Sequence, residues 1–282
     1  MTLDLRVTSR ALELDEDGIW RTREGIARAM SFPATGHEAC WQIEDASFWF
    51  SHRNACIEAA LARARARGPL LDVGAGNGFV SAALARAGLT PVALEPGEVG
   101  ARNARRRGLD TVVCAELEGA RFSDEAFRSA GAFDVIEHVE DDVALLREIR
   151  RVLARGGVLA VTVPAYAWLW SAEDVVAGHH RCYTLASLEG TLARAGFETT
   201  YASYLFAPLV GPLFALRSLP HRLGLRQEEP VADMEARAAA QHVPNGVAKR
   251  VASGLLAPEV ELVRRGRTIP VGTSCLAVAV AR

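Results

Sequence analysis

From residue 70 onward the chain repeats one pattern: a short apolar run, a turn, and a stretch with apolar residues at helical spacing. That alternation constrains its fold more than any other feature. Leu70-Leu71-Asp72-Val73 reads as a buried strand. It leads into the turn Gly74-Ala75-Gly76-Asn77-Gly78 and a helix through Val80, Ala83 and Leu84 that closes at Gly88. Further strands are expected over 91–95, 111–115, 130–133, 158–163, 197–204 and 274–280, and helices over 101–107, 142–153 and 184–195. Strands alternating with helices of this length form a parallel sheet covered on both faces. The expectation is an α/β, doubly wound, seven-stranded and mostly parallel sheet whose last strand is antiparallel.

The breaks in the alternation suggest the organisation. Residues 1–40 show no period and read as low order or a loose cap. Residues 41–67 carry Ile57, Ala60, Leu61 and Ala64 at helical spacing, stopped by Gly68-Pro69. We therefore expect an N-terminal cap or lid over 1–67, a core over 68–204, an insertion over 205–272 and the last core strand over 273–282. The insertion joins the apolar run Leu205–Leu216 to Arg217, His221, Arg222 and Arg226. Apolar residues followed by basic ones suit a lipid surface or lipid-linked substrate, an acceptor lid, or a dimer interface.

A formal net charge of −2 gives no basic surplus for a nucleic-acid partner. Five cysteines, odd in number and never spaced as C-x-x-C, fit free thiols in a reducing cytoplasm. Residues 1–10 lack the apolar core of a signal peptide. Leu205–Leu216 is too short, and too broken by Pro208, Gly211 and Pro212, to span a bilayer. The expected location is the cytoplasm, with no transmembrane segment.

In a doubly wound sheet, ligands sit beyond the carboxyl ends of the strands at the switch point, where the glycine turn lies. Glycines there leave backbone bare for a ligand and permit positive φ. The dinucleotide fingerprint requires a small residue at its sixth position; Phe79 stands there and argues against NAD(P) and an oxidoreductase. Glu95 ends the next strand, 21 residues after Gly74, where a carboxylate can accept hydrogen bonds from ribose hydroxyls.

Leu70–Gly78 resembles the first motif of class I (Rossmann-like) S-adenosylmethionine-dependent methyltransferases, and Ala93-Leu94-Glu95-Pro96 resembles the second. Phe133–Asp142 is similar to their "fDVIEHveDD" segment, and Arg151–Gly157 to "RvLkPGG", with Ala154-Arg155 in place of Lys-Pro. Ser47-Phe48-Trp49-Phe50 with Arg53-Asn54, and Gly178–Thr184, resemble a bacterial small-molecule branch. The resemblance implies S-adenosylmethionine as cofactor, with S-adenosylhomocysteine as product. Gly74, Ala75, Gly76 and Gly78 would line its methionine portion, Glu95 and Pro96 its ribose, and Glu116 and Leu117 its adenine. Asp134 would face the methionyl end or the acceptor. A lid helix bearing Trp49 would cover the site, with Arg53 meeting the cofactor carboxylate.

A hydroxyl acceptor must lose a proton, a task suited to histidine. His138, beside Glu140-Asp141-Asp142 that would raise its pKa, and His179 and His180 are the candidate catalytic residues. Glu137 and these histidines lack the tight spacing of a metal motif, so no metal is expected. The expected activity is methylation of a hydroxyl on a metabolite, sugar or lipid-linked intermediate, by a monomer or homodimer. A cofactor-binding domain without turnover and an NAD(P)-dependent oxidoreductase are the alternatives.

Overall fold

The computed structural model describes residues 4–23, 34–225 and 246–282. Nine strands form one sheet: β1 (Leu12–Leu14), β2 (Trp20–Thr22), β3 (Leu70–Val73), β4 (Pro91–Leu94), β5 (Val112–Cys114), β6 (Phe127–Phe133), β7 (Leu153–Pro164), β8 (Phe197–Leu205) and β9 (Ser274–Ala281). Their order is β1-β2-β5-β4-β3-β6-β7-β9-β8. The centre, from β5 to β7, is parallel, and β9 runs antiparallel between β7 and β8.

The count corrects the seven strands expected. The two additional strands come from residues read as low order, with Trp20 and Arg21 aligned parallel to Val113 and Cys114. Leu12 and Ile19 are buried, which ties this hairpin to the core. The helix expected within 41–67 is present as one piece, and another helix precedes it. One helix spans Ala34–Ile43; a second, Phe48–Arg63, starts at Ser47, whose hydroxyl accepts from the Phe50 N–H. That bond satisfies one of the orphan donors at a helix start.

Burial explains the layers. Every residue of β3 is buried, as a strand covered on both faces requires. On one face Leu146, Ile149, Leu188 and Leu192 of the helices Asp142–Val152 and Leu185–Arg194 join the core. On the other, Ile57, Leu61, Leu84, Leu256 and Val263 form a second cluster, drawn from the helices Phe48–Arg63, Phe79–Arg86 and Gly246–Arg264. Full burial of each such side chain contributes about 1.5–3 kcal/mol. Glu259 pins the Gly246–Arg264 helix to this face. Its carboxylate accepts the Phe206 and Ala207 N–H groups at 2.7 and 2.8 Å and lies 2.9 Å from His52 Nε2. Arg226 lies outside the described residues. Among the described residues no helix is long and apolar enough to cross a membrane.

The topology also sets where a ligand goes. After β3 the chain builds β4 and β5 to one side, then returns to add β6 and β7 on the other. Turns leaving β3 and β6 therefore diverge and open a crevice between them.

Candidate active site

A cleft of about 1220 Å³ fills that crevice. At one end lies the glycine turn. Gly74, Gly76 and Gly78 all have positive φ, at 68°, 54° and 74°. Their surroundings differ. A Cβ on Gly74 would meet Val135 at 2.7 Å, and one on Gly78 would meet Leu109 at 2.6 Å and Ala104 at 2.9 Å. A Cβ on Gly76 would meet nothing within 4 Å. Gly76 thus faces open space along the cleft, whereas Gly78 lies against the Glu98–Arg106 helix and does not line the cleft.

Glu95 lies just past the end of β4 and is buried. It accepts the Gly76 N–H at 2.8 Å on one oxygen and the Gly97 N–H at 2.7 Å on the other. Burial pushes its carboxyl up to about 7, against the pull of those two bonds. Each oxygen keeps a second lone pair for a hydroxyl donor. Beneath the turn, buried Asp72 accepts from Ser81 Oγ at 2.5 Å, and burial lifts it to about 6. Pro96, Glu116 and Leu117 line the same end, and the Leu117 side chain is buried.

Midway along, Asp134 takes positive φ at the first position after β6 and accepts from Thr162 Oγ1 at 3.0 Å. Its other oxygen forms an ion pair with Arg53. Arg53, expected at a cofactor carboxylate, is here held by a protein one. Trp49, one turn earlier, lines the cleft and stacks on Phe206 with centroids 3.8 Å apart.

The far end gathers the histidines. A Glu137 carboxylate oxygen and one ring nitrogen each of His138 and His179 lie within 4.8 Å of one another, close enough for a metal ion to bridge. The fold makes this trio from segments some forty residues apart, so helical spacing in the sequence could not reveal it. Glu137 is fully buried and among the described residues neither carboxylate oxygen has a hydrogen-bond partner; burial, then the Asp134 charge, drives its pKa well up. His138 corrects an expectation. Burial, with His179 adding to it, pushes its pKa down to about 4. The acidic residues expected to raise it are turned elsewhere: Glu140 and Asp141 are exposed, and Asp142 accepts from Tyr183 Oη at 2.8 Å and pairs with Arg181. The same contacts, with His180 N–H donating to the Glu137 carbonyl at 2.7 Å, fasten the Gly178–Thr184 loop to the strand corner. His180 is exposed at the rim.

Sequence reasoning missed several residues here. His37 Nε2 stands 3.7 Å from Glu95 Oε1 and is buried. Asn77 donates to the His37 carbonyl at 2.8 Å and accepts from Asn103 at 3.0 Å, clasping the Ala34–Ile43 helix to the glycine turn. Arg107 adds bonds to Glu44 at 2.7 Å and Asp45 at 2.9 Å, with its guanidinium over the Trp41 and Phe79 rings. Asp174 binds His179 Nδ1 at 2.8 Å. Each bond joins segments remote in sequence or turned back on themselves, and none of the sequence patterns above encodes it.

Comparison with known proteins identifies the family and the fold. A family described as a methyltransferase domain matches residues 49–202. The ubiquinone biosynthesis O-methyltransferase of Xanthomonas oryzae pv. oryzae is 34% identical over 109 residues, 36% of this chain and 45% of that protein. The enzyme of the same name from Azorhizobium caulinodans is 32% identical over 168 residues, 50% of this chain and 64% of that protein. The matches thus span less than two thirds of the length of these relatives. Among solved structures, phosphoethanolamine N-methyltransferase 2 of Haemonchus contortus, in complex with S-adenosyl-L-methionine, superposes with a TM-score of 0.54. It shares 17% identity, over 88% of this chain and 57% of that one.

Proposed function

The chain belongs to the methyltransferase domain family, and on that premise we propose that it transfers a methyl group from S-adenosylmethionine to a hydroxyl oxygen of a small-molecule acceptor. One observation carries the reading: a single cleft runs from the bare backbone at Gly76 and the Glu95 carboxylate, past Asp134, to a cluster of proton-accepting side chains. The named relatives methylate oxygen, which agrees with an acceptor that must lose a proton.

S-adenosylmethionine supplies a methyl group on a sulfonium, a good leaving group. The protein has to bind, orient, exclude water and remove a proton; positioning alone is worth roughly 7–11 kcal/mol of barrier. In this reading Gly74, Ala75 and Gly76 leave room for the methionine portion. Glu95 accepts from the ribose hydroxyls, beside Pro96, and Glu116 and Leu117 flank the adenine. Arg53 exchanges some of its contact with Asp134 for the cofactor carboxylate, and Trp49 and His37 close the cleft from the 1–67 side. Gly78 serves the turn rather than the ligand. His179 takes the acceptor proton, His138 stays neutral beside it, and His180 stands at the entrance. Leu213, Arg217 and Ser218 bring the 205–272 insertion to the acceptor end of the cleft. Their mixed character suits an amphiphilic or lipid-linked acceptor. Free thiols at all five cysteines support a cytoplasmic setting.

The test pairs binding with turnover. Calorimetry should show binding of S-adenosylmethionine and not of NAD. Radiolabelled methyl should pass to at least one of catechol, a prenylated phenol or a hexose. Cofactor binding with label on none of the three would leave a binding domain without turnover; tight NAD binding in its place would end the reading.

A further inference from the structure

We infer that Asp174 is the positioning residue for His179, fixing the ring's tautomer so that Nε2 carries the lone pair that accepts the acceptor's proton. This inference rests on the proposed methyl transfer and deepens it.

The two oxygens of Asp174 do different things. Oδ2 accepts from the Ser171 N–H and from Ser171 Oγ, both at 2.8 Å, closing a capping box at the start of the Ala172–Val176 helix. Oδ1 faces His179 Nδ1 at 2.8 Å. A carboxylate ionised at neutral pH only accepts hydrogen bonds, so Nδ1 must bear the hydrogen. Asp174 is ionised: burial acts to raise its pKa, but the bonds from His179 and Ser171 hold it below the ordinary range. The backbone repeats the constraint. After the helix, Gly178 turns the chain at φ 74°, and the His179 N–H donates to the Asp174 carbonyl at 3.0 Å. Main chain and ring of His179 are thus both tied to the same residue.

With Nδ1 committed, Nε2 on the opposite side of the ring is the accepting atom. The His179 ring lines the cleft, 4.7 Å between centroids from His138, with Glu137 beside both. In the step this implies, the acceptor O–H gives its proton to His179 Nε2 while its oxygen bonds to the methyl carbon. The S–CH₃ electrons stay on sulfur, which passes from sulfonium to thioether. The imidazolium so formed is stabilised by Asp174, the ionised partner it already touches.

The groups facing His179 are Asp174 on the preceding helix, and His138 and Glu137 at the β6 corner. Asp174→Asn separates the two duties of the carboxylate. The new amide oxygen can still accept from Ser171, while its NH₂ would face Nδ1 as a donor and force the opposite tautomer. A carboxylate-to-amide change of this kind costs about 10⁴-fold in kcat in a well-studied hydrolytic triad.

The experiment uses the full chain labelled with ¹⁵N-histidine, the His179 signals being assigned from His179→Ala. Wild-type protein should show hydrogen on Nδ1. Asp174→Asn should show it on Nε2, with a melting temperature near wild type, unchanged S-adenosylmethionine affinity and a loss of at least roughly 100-fold in kcat on the most active of the three acceptors. Its acid limb in the kcat–pH profile should move to lower pH. Asp174→Glu should restore part of the rate. Hydrogen on Nδ1 in both proteins, or full kcat in Asp174→Asn, overturns the inference. If His179→Ala is itself fully active, the base assignment falls; if only Asp174→Asn is, methyl transfer through His179 stands without its positioning partner.

Discussion

The two ends of the cleft are built by opposite means. The cofactor end is a local construction: one nine-residue stretch, Leu70–Gly78, provides strand, turn and bare backbone, and Glu95 arrives from the neighbouring strand in register with it. The acceptor end is assembled from three distant segments: Glu137-His138 after β6, Ser171–His180 after β7, and Leu213–Ser218 from the insertion. A local site is fixed by backbone conformation and tolerates few residue types. An assembled one depends on side-chain bonds between segments, and changes in it should leave the fold and cofactor binding intact. The contrast predicts that substitutions at the two ends fail in different ways.

The largest separation should appear in turnover. His179→Ala should lower kcat by about 10²–10⁴-fold while S-adenosylmethionine affinity stays within about twofold. His138→Gln should cost less than about tenfold, since His138 is held neutral by burial. Single-turnover kinetics with calorimetry measures both; equal losses from the two substitutions would merge their roles.

Next come two glycines two residues apart. Gly78→Ala should destabilise the protein by about 2–4 kcal/mol, since the added methyl meets Leu109 and Ala104 in a left-handed backbone. Gly76→Ala should cost only about 1 kcal/mol in stability, because its methyl enters open space. That methyl would occupy ligand volume, so affinity for S-adenosylmethionine should fall about tenfold or more. Thermal melts with and without cofactor decide this. Similar melting temperatures for the two variants would mean that the glycines do one job.

The same contrast governs what could be read from the sequence. β3 to β9 were legible as unbroken apolar runs, even the three-residue β5, set between turns marked by glycines such as Gly74 and Gly88. β1 and β2 were not: Glu13 and Arg21 interrupt them, and β2 is held by β5, some ninety residues away. At the site, Gly76 and Glu95 are legible as a turn and a spacing. His138 and His179 could be named by residue type, but not the environment that separates them. The cap that Ser171 and Asp174 close was not read, and nothing in those letters says that the other Asp174 oxygen meets a ring returned to it by the turn at Gly178.

The last effects return to Glu95 and concern its charge. Glu95→Gln keeps the shape but loses the charge-assisted bonds to the ribose, and affinity should fall by about 1.5–2 kcal/mol, roughly ten- to thirtyfold. In wild type the carboxyl titrates near 7 because burial disfavours its charged form. A carboxyl whose folded pKa is raised stabilises the free protein most below the unfolded value and loses that contribution as pH climbs from about 4 through about 7. Cofactor binding should run the other way, because the ionised form is the better acceptor for two hydroxyls. Between pH 6 and pH 8 the Kd for S-adenosylmethionine should fall, by at most about tenfold per pH unit below the pKa. The increase in melting temperature on adding cofactor should grow over the same interval. Glu95→Gln should flatten both trends. If the variant keeps the wild-type pH dependence, the titrating group lies elsewhere in the cleft and Glu95 serves the turn through Gly76 and Gly97 rather than the ribose.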